Sequence, residues 1–376
     1  AMELGAEIKE ADRTKNMYAL GIVAYIFDRN IEKLSNQVAK KFKKNQKIAS
    51  INISVLKAGY IFAESIEAIE SRFHISTATL PKGKYRNIAG NIATAWGLLA
   101  ASERSGRPLF LGSYPITPAT DILVELAKHK SLNAHVMQCE DEIAGICSSI
   151  GASYAGSLAV TSTSGPGLSL KSEAIGLAVM TELPLVIVDV QRGGPSTGLP
   201  TKSEQADLLQ VLYGRNGSCP CLVLAATSPS DCFETTYQAA KLSIEHMTPV
   251  ILMTDGYIGQ GSELFRIPRV ADMPDIIPPL ALANDKNYKP YRRNEETLVR
   301  QWAIPGTEGL EHRVGGLEKS DINGVVSTDA NNHETMVKYR NDKVQKIADF
   351  IPEQEVIGDK EGDLLVVSWG GTKGQT

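Results

Sequence analysis

Between residues 85 and 268, short apolar runs at 108–111, 134–138, 158–161, 184–190, 221–225 and 249–254 alternate with stretches of helical period. The runs are too short for buried helices and too continuously apolar for strands with one wet face, so each needs cover on both sides. That constraint predicts an α/β fold: a mainly parallel sheet built from successive βα units with helices on both faces. Composition agrees, because 43% hydrophobic and 22% charged residues are the proportions of an ordinary globular chain. Disorder, collagen and a disulfide scaffold are excluded. At 376 residues the chain has room for about two to three domains.

The flanking regions differ in character. Residues 13–80 are helical in pattern, with a Lys/Arg-rich stretch at 40–47 that reads as a solvated helix face or loop. Residues 269–360, with Pro274, Pro278, Pro279, Pro305 and the Gly-rich 305-PGTEGLEHRVGGLEK, read as an irregular connector followed by one charged helix near 334–349. In 361–376, residues 364–368 look like a strand entering a Gly-rich turn with nothing behind it to pack on. The expected division is therefore 1–80, 85–268, 269–360 and 361–376, in a piece of a longer protein.

Thirty-nine Lys and Arg against 43 Asp and Glu give a net charge of −4, so there is no basic field for nucleic acid or anionic lipid. No apolar run approaches the roughly 18 residues of a membrane span, and the acidic start is no secretory signal. A cytoplasmic protein is expected. Five cysteines, Cys139, Cys147, Cys219, Cys221 and Cys232, lack the CxxC spacing of zinc or iron–sulfur sites and are expected as reduced thiols. The close pair, Cys219-Pro220-Cys221, would share one face of a strand, and core packing explains it better than a metal.

Four motifs follow strands. In 112-GSYPITPATD, Pro118 suits the first position of a helix and Thr117 its N-cap, which would place a helix start at the carboxyl end of the sheet, where open α/β sheets bind ligands. A plain structural cap explains the spacing equally. In 139-CEDEIAGI, three carboxylates crowd a strand-to-helix junction, and Glu142, beside the apolar positions Ile143, Ile146, Cys147 and Ile150, is the one expected to be buried. Small Gly145, Ser148, Ser149, Gly151 and Ala152 permit close backbone approach. Acidic first turns are also routine helix stabilisers. The third, 161-TSTSGPGLS, is a tight turn without the lysine of a Walker loop or the GxGxxG of a dinucleotide fold. The fourth, 188-VDVQRGGPSTGLPTKSEQADL, holds Arg192, whose guanidinium fork could meet a carboxylate or simply be solvated. No histidine has a partner suggesting a nucleophilic triad; His312 and His333, in the connector, could serve function or packing.

Taken together, these motifs in this order closely resemble the alpha subunit of 2-oxoacid:ferredoxin oxidoreductases, especially the 2-oxoglutarate type. The likeness extends to 213-YGRNG and 305-PGTEGLEHRVGGLEK, and makes 1–80 the end of a fused gamma-like domain and 361–376 the first strand of a transketolase C-terminal-like domain. It implies that 85–268 is a pyrimidine-type thiamine diphosphate domain. Glu142 then matches the glutamate that contacts the aminopyrimidine ring, Thr117 and Arg192 match residues that hold the 2-oxoacid, and Tyr114, Pro115, Ile116, Ser164 and Gly165 lie in cofactor-binding segments. Departures stand at Ile92, Ala119 and Asn216. The implied reaction is coenzyme A-dependent oxidative decarboxylation of 2-oxoglutarate to succinyl-CoA with reduction of ferredoxin. Because the sequence has no Gly-Asp-Gly segment and no cluster-binding cysteine set, magnesium and the iron–sulfur cluster are expected on a beta subunit, in an assembly pairing two alpha-beta units. Lys202, with the hydroxyls of Ser196, Thr197 and Thr201, is the candidate for a distal carboxylate. A branched-chain 2-oxoacid or pyruvate enzyme, and a scaffold without catalysis, are the competing readings.

Overall fold

Six parallel strands carry the architecture. The structure, a computed structural model, describes residues 2, 7–76, 78–359 and 361–376, and divides into two units at residue 82.

The first unit is helical: α1 (Ile8–Arg13), α2 (Lys15–Ile26), α3 (Ile31–Lys41) and α4 (Gln46–Ser65). Asn30 and Asn45 cap α3 and α4, their side-chain oxygens accepting from Lys33 N at 2.9 Å and Ile48 N at 3.1 Å. Helices α2 and α4 touch backbone to backbone, since a Cβ on Gly21 would lie 2.1 Å from the Leu56 oxygen and one on Gly59 would lie 2.0 Å from that of Tyr18. The helical pattern expected to reach residue 80 stops at 65. Glu67 turns into the left-handed region at φ 47° and Ala68 N closes on Ala63 O, after which the chain runs back so that Phe73 N meets Ile26 O.

The second unit runs β1 (Tyr85–Ala89), α5 (Gly90–Ser105), β2 (Leu109–Ser113), α6 (Thr120–Leu126), β3 (Ala134–Gln138), α7 (Glu142–Tyr154), β4 (Leu158–Thr163), α8 (Gly165–Leu170), α9 (Ser172–Thr181), β5 (Leu185–Gln191), α10 (Leu208–Tyr213), β6 (Leu222–Ala225), α11 (Asp231–His246), β7 (Pro249–Asp255), α12 (Gly256–Gln260), β8 (Ser262–Arg266) and α13 (Ala330–Lys346). The order in the main sheet is β3-β2-β4-β5-β7-β6, all parallel, while β1 and β8 form an antiparallel pair. Side chains alternate between two cores: Val186, Val188, Val250 and Leu252 face one, and Leu185, Ile187, Ile251 and Met253 the other. That alternation is the double cover the apolar runs require. The chain leaves β2 for β3 on one side and returns to β4 on the other, so the carboxyl ends of β2 and β4 flank a topological switch point, the place where open α/β sheets bind ligands.

The segment 269–329 lacks long regular elements yet belongs to this unit. Trp302 and Arg300 are fully buried, and Arg300 Nη2 donates to Thr181 O at 2.9 Å. Glu182, also buried, accepts from Arg293 Nη1 at 2.6 Å and from Lys343 Nζ at 2.7 Å, tying connector and α13 to the end of α9. The strand expected at 364–368 is not formed. Residues 364–367 are exposed and carry no regular structure, and Trp369 is held by Gln205 Nε2 donating to its carbonyl. Cys219 and Cys221 precede β6 rather than lying in it. Among the described residues no helix is long and apolar enough to cross a membrane.

Candidate active site

The four motifs meet at the carboxyl ends of β2, β4 and β5. Ser113 Oγ donates to Ser162 O at 2.7 Å and lies 3.0 Å from Ser162 Oγ, which knits β2 to β4 at their ends. The chain then leaves β2 through exposed Tyr114, half-buried Pro115 and Ile116, and exposed Thr117. Thr117 is not an N-cap and Pro118 does not open the helix: their peptide bond is cis, Ile116 O accepts from Ala119 N and Thr120 N in a turn, and α6 starts at Thr120. Asn91 Nδ2, from α5, holds this turn by donating to Pro118 O at 2.8 Å.

At the second junction Asp141 caps α7, its Oδ1 accepting from Ala144 N at 2.7 Å. Of the three carboxylates, Glu140 and Asp141 are exposed and Glu142 is buried at 8% exposure. The expected apolar face is half right. Ile146 and Ile150 are buried, but Ile143 and Cys147 point outward, because small residues take the inner positions and let α7 lie close on the sheet. Ser149 Oγ donates to Val160 O at 2.8 Å and Ser153 Oγ to Pro184 O at 2.6 Å.

The third motif packs on the second. A Cβ on Gly167 would stand 2.1 Å from Thr163 Oγ1 and 2.7 Å from Glu142 Cγ, so only glycine lets the turn after β4 close against the carboxylate side chain. Ser164 Oγ is buried there with no hydrogen-bond partner. Beneath them Lys171, fully buried, donates from Nζ to Glu142 O at 2.6 Å and to Thr161 Oγ1 at 3.1 Å. Burial pulls its ammonium down to about 8, against the opposing pull of the Glu142 charge.

In the fourth motif Arg192, 6% exposed, donates to Thr117 O at 2.6 Å and to Thr197 O at 2.8 Å, while its Nε is buried and unpaired. The structure thus joins Arg192 to the Thr117 loop, with part of the fork spent on backbone carbonyls. Lys202, Ser196, Thr197 and Thr201 are exposed on the same loop, which is folded back by Gly193 N donating to Lys202 O at 2.8 Å. The other connector candidates are engaged elsewhere: His312 Nδ1 lies 2.8 Å from Leu310 O with the ring between Tyr154 and Tyr288, and His333 Nδ1 lies 2.8 Å from Glu318 Oε2.

Sequence reasoning missed Lys171 and a carboxyl pair. Asp189, fully buried in β5, meets Asp207, whose carboxylate also lies where a Cβ on Gly165 would fall, 2.6 Å from Oδ1. Burial and the neighbouring charge push the Asp189 carboxyl well above the usual range. The signal for the pair was a lone charged residue inside an apolar run, Asp189 in 185-LVIVDVQ; Lys171, with Glu173 close behind it in 165-GPGLSLKSEAIGLAV, reads as an ordinary charged helix position.

Residues 102–331 match the family model for pyruvate flavodoxin/ferredoxin oxidoreductase, thiamine diphosphate-binding. The chain is similar to the 2-oxoglutarate oxidoreductase subunit KorA of Mycobacterium tuberculosis, 52% identical over 99% of this chain and 56% of that protein. It is also similar to the 2-oxoglutarate synthase subunit KorA of Methanothermobacter marburgensis, 34% identical over 75% of this chain and 73% of that protein. Among solved structures, a 2-oxoglutarate:ferredoxin oxidoreductase from Magnetococcus marinus, with 2-oxoglutarate, coenzyme A and succinyl-CoA bound, superposes with a TM-score of 0.89 at 35% identity, covering 96% of this chain and 62% of that one. The chain thus spans little more than half the length of the Mycobacterium relative. With a parallel α/β sheet whose switch point gathers all four motifs, and a family match over most of that domain, the chain belongs to the thiamine diphosphate-binding pyruvate flavodoxin/ferredoxin oxidoreductase family.

Proposed function

We propose that this chain is the alpha-type part of a 2-oxoglutarate:ferredoxin oxidoreductase, working with a beta subunit to convert 2-oxoglutarate and coenzyme A to succinyl-CoA and carbon dioxide while ferredoxin is reduced. The observation that carries the reading is the buried carboxylate of Glu142, closed against the Gly167 turn at the sheet's switch point. The names of the similar proteins support the choice of 2-oxoglutarate.

The residues present fit the ring half of thiamine diphosphate. Glu142 offers a buried acceptor, Ser164 an unpaired buried hydroxyl, and Ile116 and Tyr114 apolar surface on the adjoining loop. When bound, the cofactor supplies a thiazolium carbon that becomes nucleophilic once its proton is lost. Glu142 holds and moves a proton at its carboxylate in a site with little water, the setting in which a positioned carboxyl is most effective as acid or base. Lys171, donating to the Glu142 backbone oxygen, fixes the start of α7. Arg192 pins the Thr117 loop to the 193–202 loop and brings a cation to the substrate side. Magnesium, the diphosphate anchor and the iron–sulfur cluster fall to the beta subunit, with ferredoxin as electron acceptor, two alpha-beta units in the assembly and the cytoplasm as compartment.

The test is reconstitution with the beta subunit and measurement of 2-oxoglutarate-dependent ferredoxin reduction. Glu142→Gln should cut the rate by roughly 100-fold or more, the scale of general acid/base contributions, with a smaller loss of cofactor affinity. Activity within about twofold of the parent would remove Glu142 from the chemistry. Lys202→Ala should lower the specificity ratio of 2-oxoglutarate over 2-oxobutyrate, since only the former has a distal carboxylate to pair. An unchanged ratio would move the selecting charge to the beta subunit.

A further inference from the structure

The amino ends of β2 and β3, opposite the end of the sheet where the four motifs meet, border a cavity of about 540 Å³ that takes no part in the site just described. Its wall comes from α5, the turns entering β2 and β3, the start of α11 and the segment after β8. The volume lies within the roughly 300–1,000 Å³ of small-molecule sites. Trp96, Leu99, Leu132, Phe233, Ile267 and Val270 make it apolar, and Leu132 is 54% exposed. The Trp96 indole is fixed in place: Nε1 donates to Glu125 Oε1 at 3.0 Å, and the Arg86 guanidinium lies 4.8 Å from its ring centre. That wall is therefore set before anything binds, which lowers the entropy lost on binding.

Most of the polar side chains around the cavity are engaged with the protein. Ser102 Oγ donates to Arg107 O at 2.6 Å, His129 Nε2 lies 3.2 Å from Glu125 Oε1, and His135 Nε2 lies 3.0 Å from Asn133 Oδ1. Glu103 is exposed, so solvent and salt screen its charge. Arg107 is the exception. Among the described residues its half-buried guanidinium has no hydrogen-bond or ion-pair partner, and its Nε is shut away from water. A cation that has lost part of its hydration without gaining a partner favours an anion that reaches it, and a guanidinium fork fits a carboxylate.

We propose that this cavity binds a small monocarboxylate with an apolar body, its carboxylate on Arg107 and its body against Trp96, Leu99 and Phe233. Free fatty acids and aryl acids share that chemistry. A dicarboxylate such as 2-oxoglutarate does not fit it, because its second charge would lie on apolar surface with no cation to meet it. The occupant is distinct from the proposed substrate and from thiamine diphosphate, whose candidate residues lie at the carboxyl ends of the strands.

The test is a tryptophan-fluorescence titration of the full chain with decanoate, 4-phenylbutyrate and, as an uncharged counterpart, decanol. At least one acid should change the emission saturably at one equivalent, the tighter of the two telling a fatty from an aryl occupant, and Trp96→Phe should remove the signal. Arg107→Gln should weaken the acid at least about tenfold and decanol less than about twofold, the scale of one charge-assisted contact. Because Arg107 has no partner to lose, this variant should keep the parent's urea midpoint. Leu132→Glu, at an exposed position, should weaken the acid by setting a like charge beside it. No saturable change with either acid, a signal that survives Trp96→Phe, decanol binding as tightly as decanoate, acid binding unmoved by Arg107→Gln, or displacement by 2-oxoglutarate would each overturn the proposal.

Discussion

Lys171 Nζ donates to the backbone oxygen of Glu142 at 2.6 Å from a fully buried position, directly beneath the first turn of α7. A cation below a helix N-terminus opposes the helix dipole, and it is retained there with the Glu142 carboxylate as its main electrostatic support. The folded amine titrates near 8, below its ordinary 10.5. Between those values the unfolded chain binds more protons than the folded one, so this group's contribution to stability rises with pH from about 8 upward and is flat below. Lys343, pulled down to the same range, adds a rise of its own. Urea midpoints measured from pH 7 upward should therefore climb less steeply in Lys171→Met than in the parent; equal slopes would mean that the Lys171 amine is not perturbed.

Gly167 tests the contact between the two central motifs. A methyl group there would press on Thr163 Oγ1 and on the Glu142 side chain. Gly167→Ala should cost about 1–3 kcal/mol, as overpacking does. In the reconstituted complex its activity should fall well beyond what lost stability explains at a temperature where the variant stays folded. A variant as active as the parent would separate the turn from the carboxylate's function.

The Glu182 network separates two kinds of buried charge. Glu182 faces two cations, Arg293 and Lys343; burial opposes its ionisation, but the two positive neighbours win and hold its carboxyl far below the usual range. Lys343 is pulled down to about 8, first by burial and then by Arg293, with Glu182 opposing. Glu182→Gln leaves two buried cations facing each other and should cost about 3–5 kcal/mol, whereas Arg293→Met leaves a balanced pair and should cost clearly less. Chemical denaturation of both variants decides it, and the opposite ranking would refute the charge count.

The alternation of apolar runs was enough to determine the parallel sheet, because a strand buried on both faces admits only apolar side chains and the connecting segments must then be helices that cover it. The burial of Glu142 was legible too, since it is the first helical residue behind its cap and faces the packed side of α7. Which residues line that side was not. Ile143 and Cys147 fit the helical period as well as Ile146 and Ile150, and only the close approach of α7 to β2 and β4, made possible by Gly145 and Ser149, turned the helix to put them outside. Thr117 and Pro118 carry the local preferences of a helix start, but the turn closed by Ile116 O and held by Asn91 moved that start to Thr120. Lys171, Asp189 and Asp207 take their meaning from partners in other elements: 29 positions separate Lys171 from the oxygen it binds. Local propensity is a property of neighbours in sequence, whereas the partner of a buried charge is set by which strand ends the topology brings together.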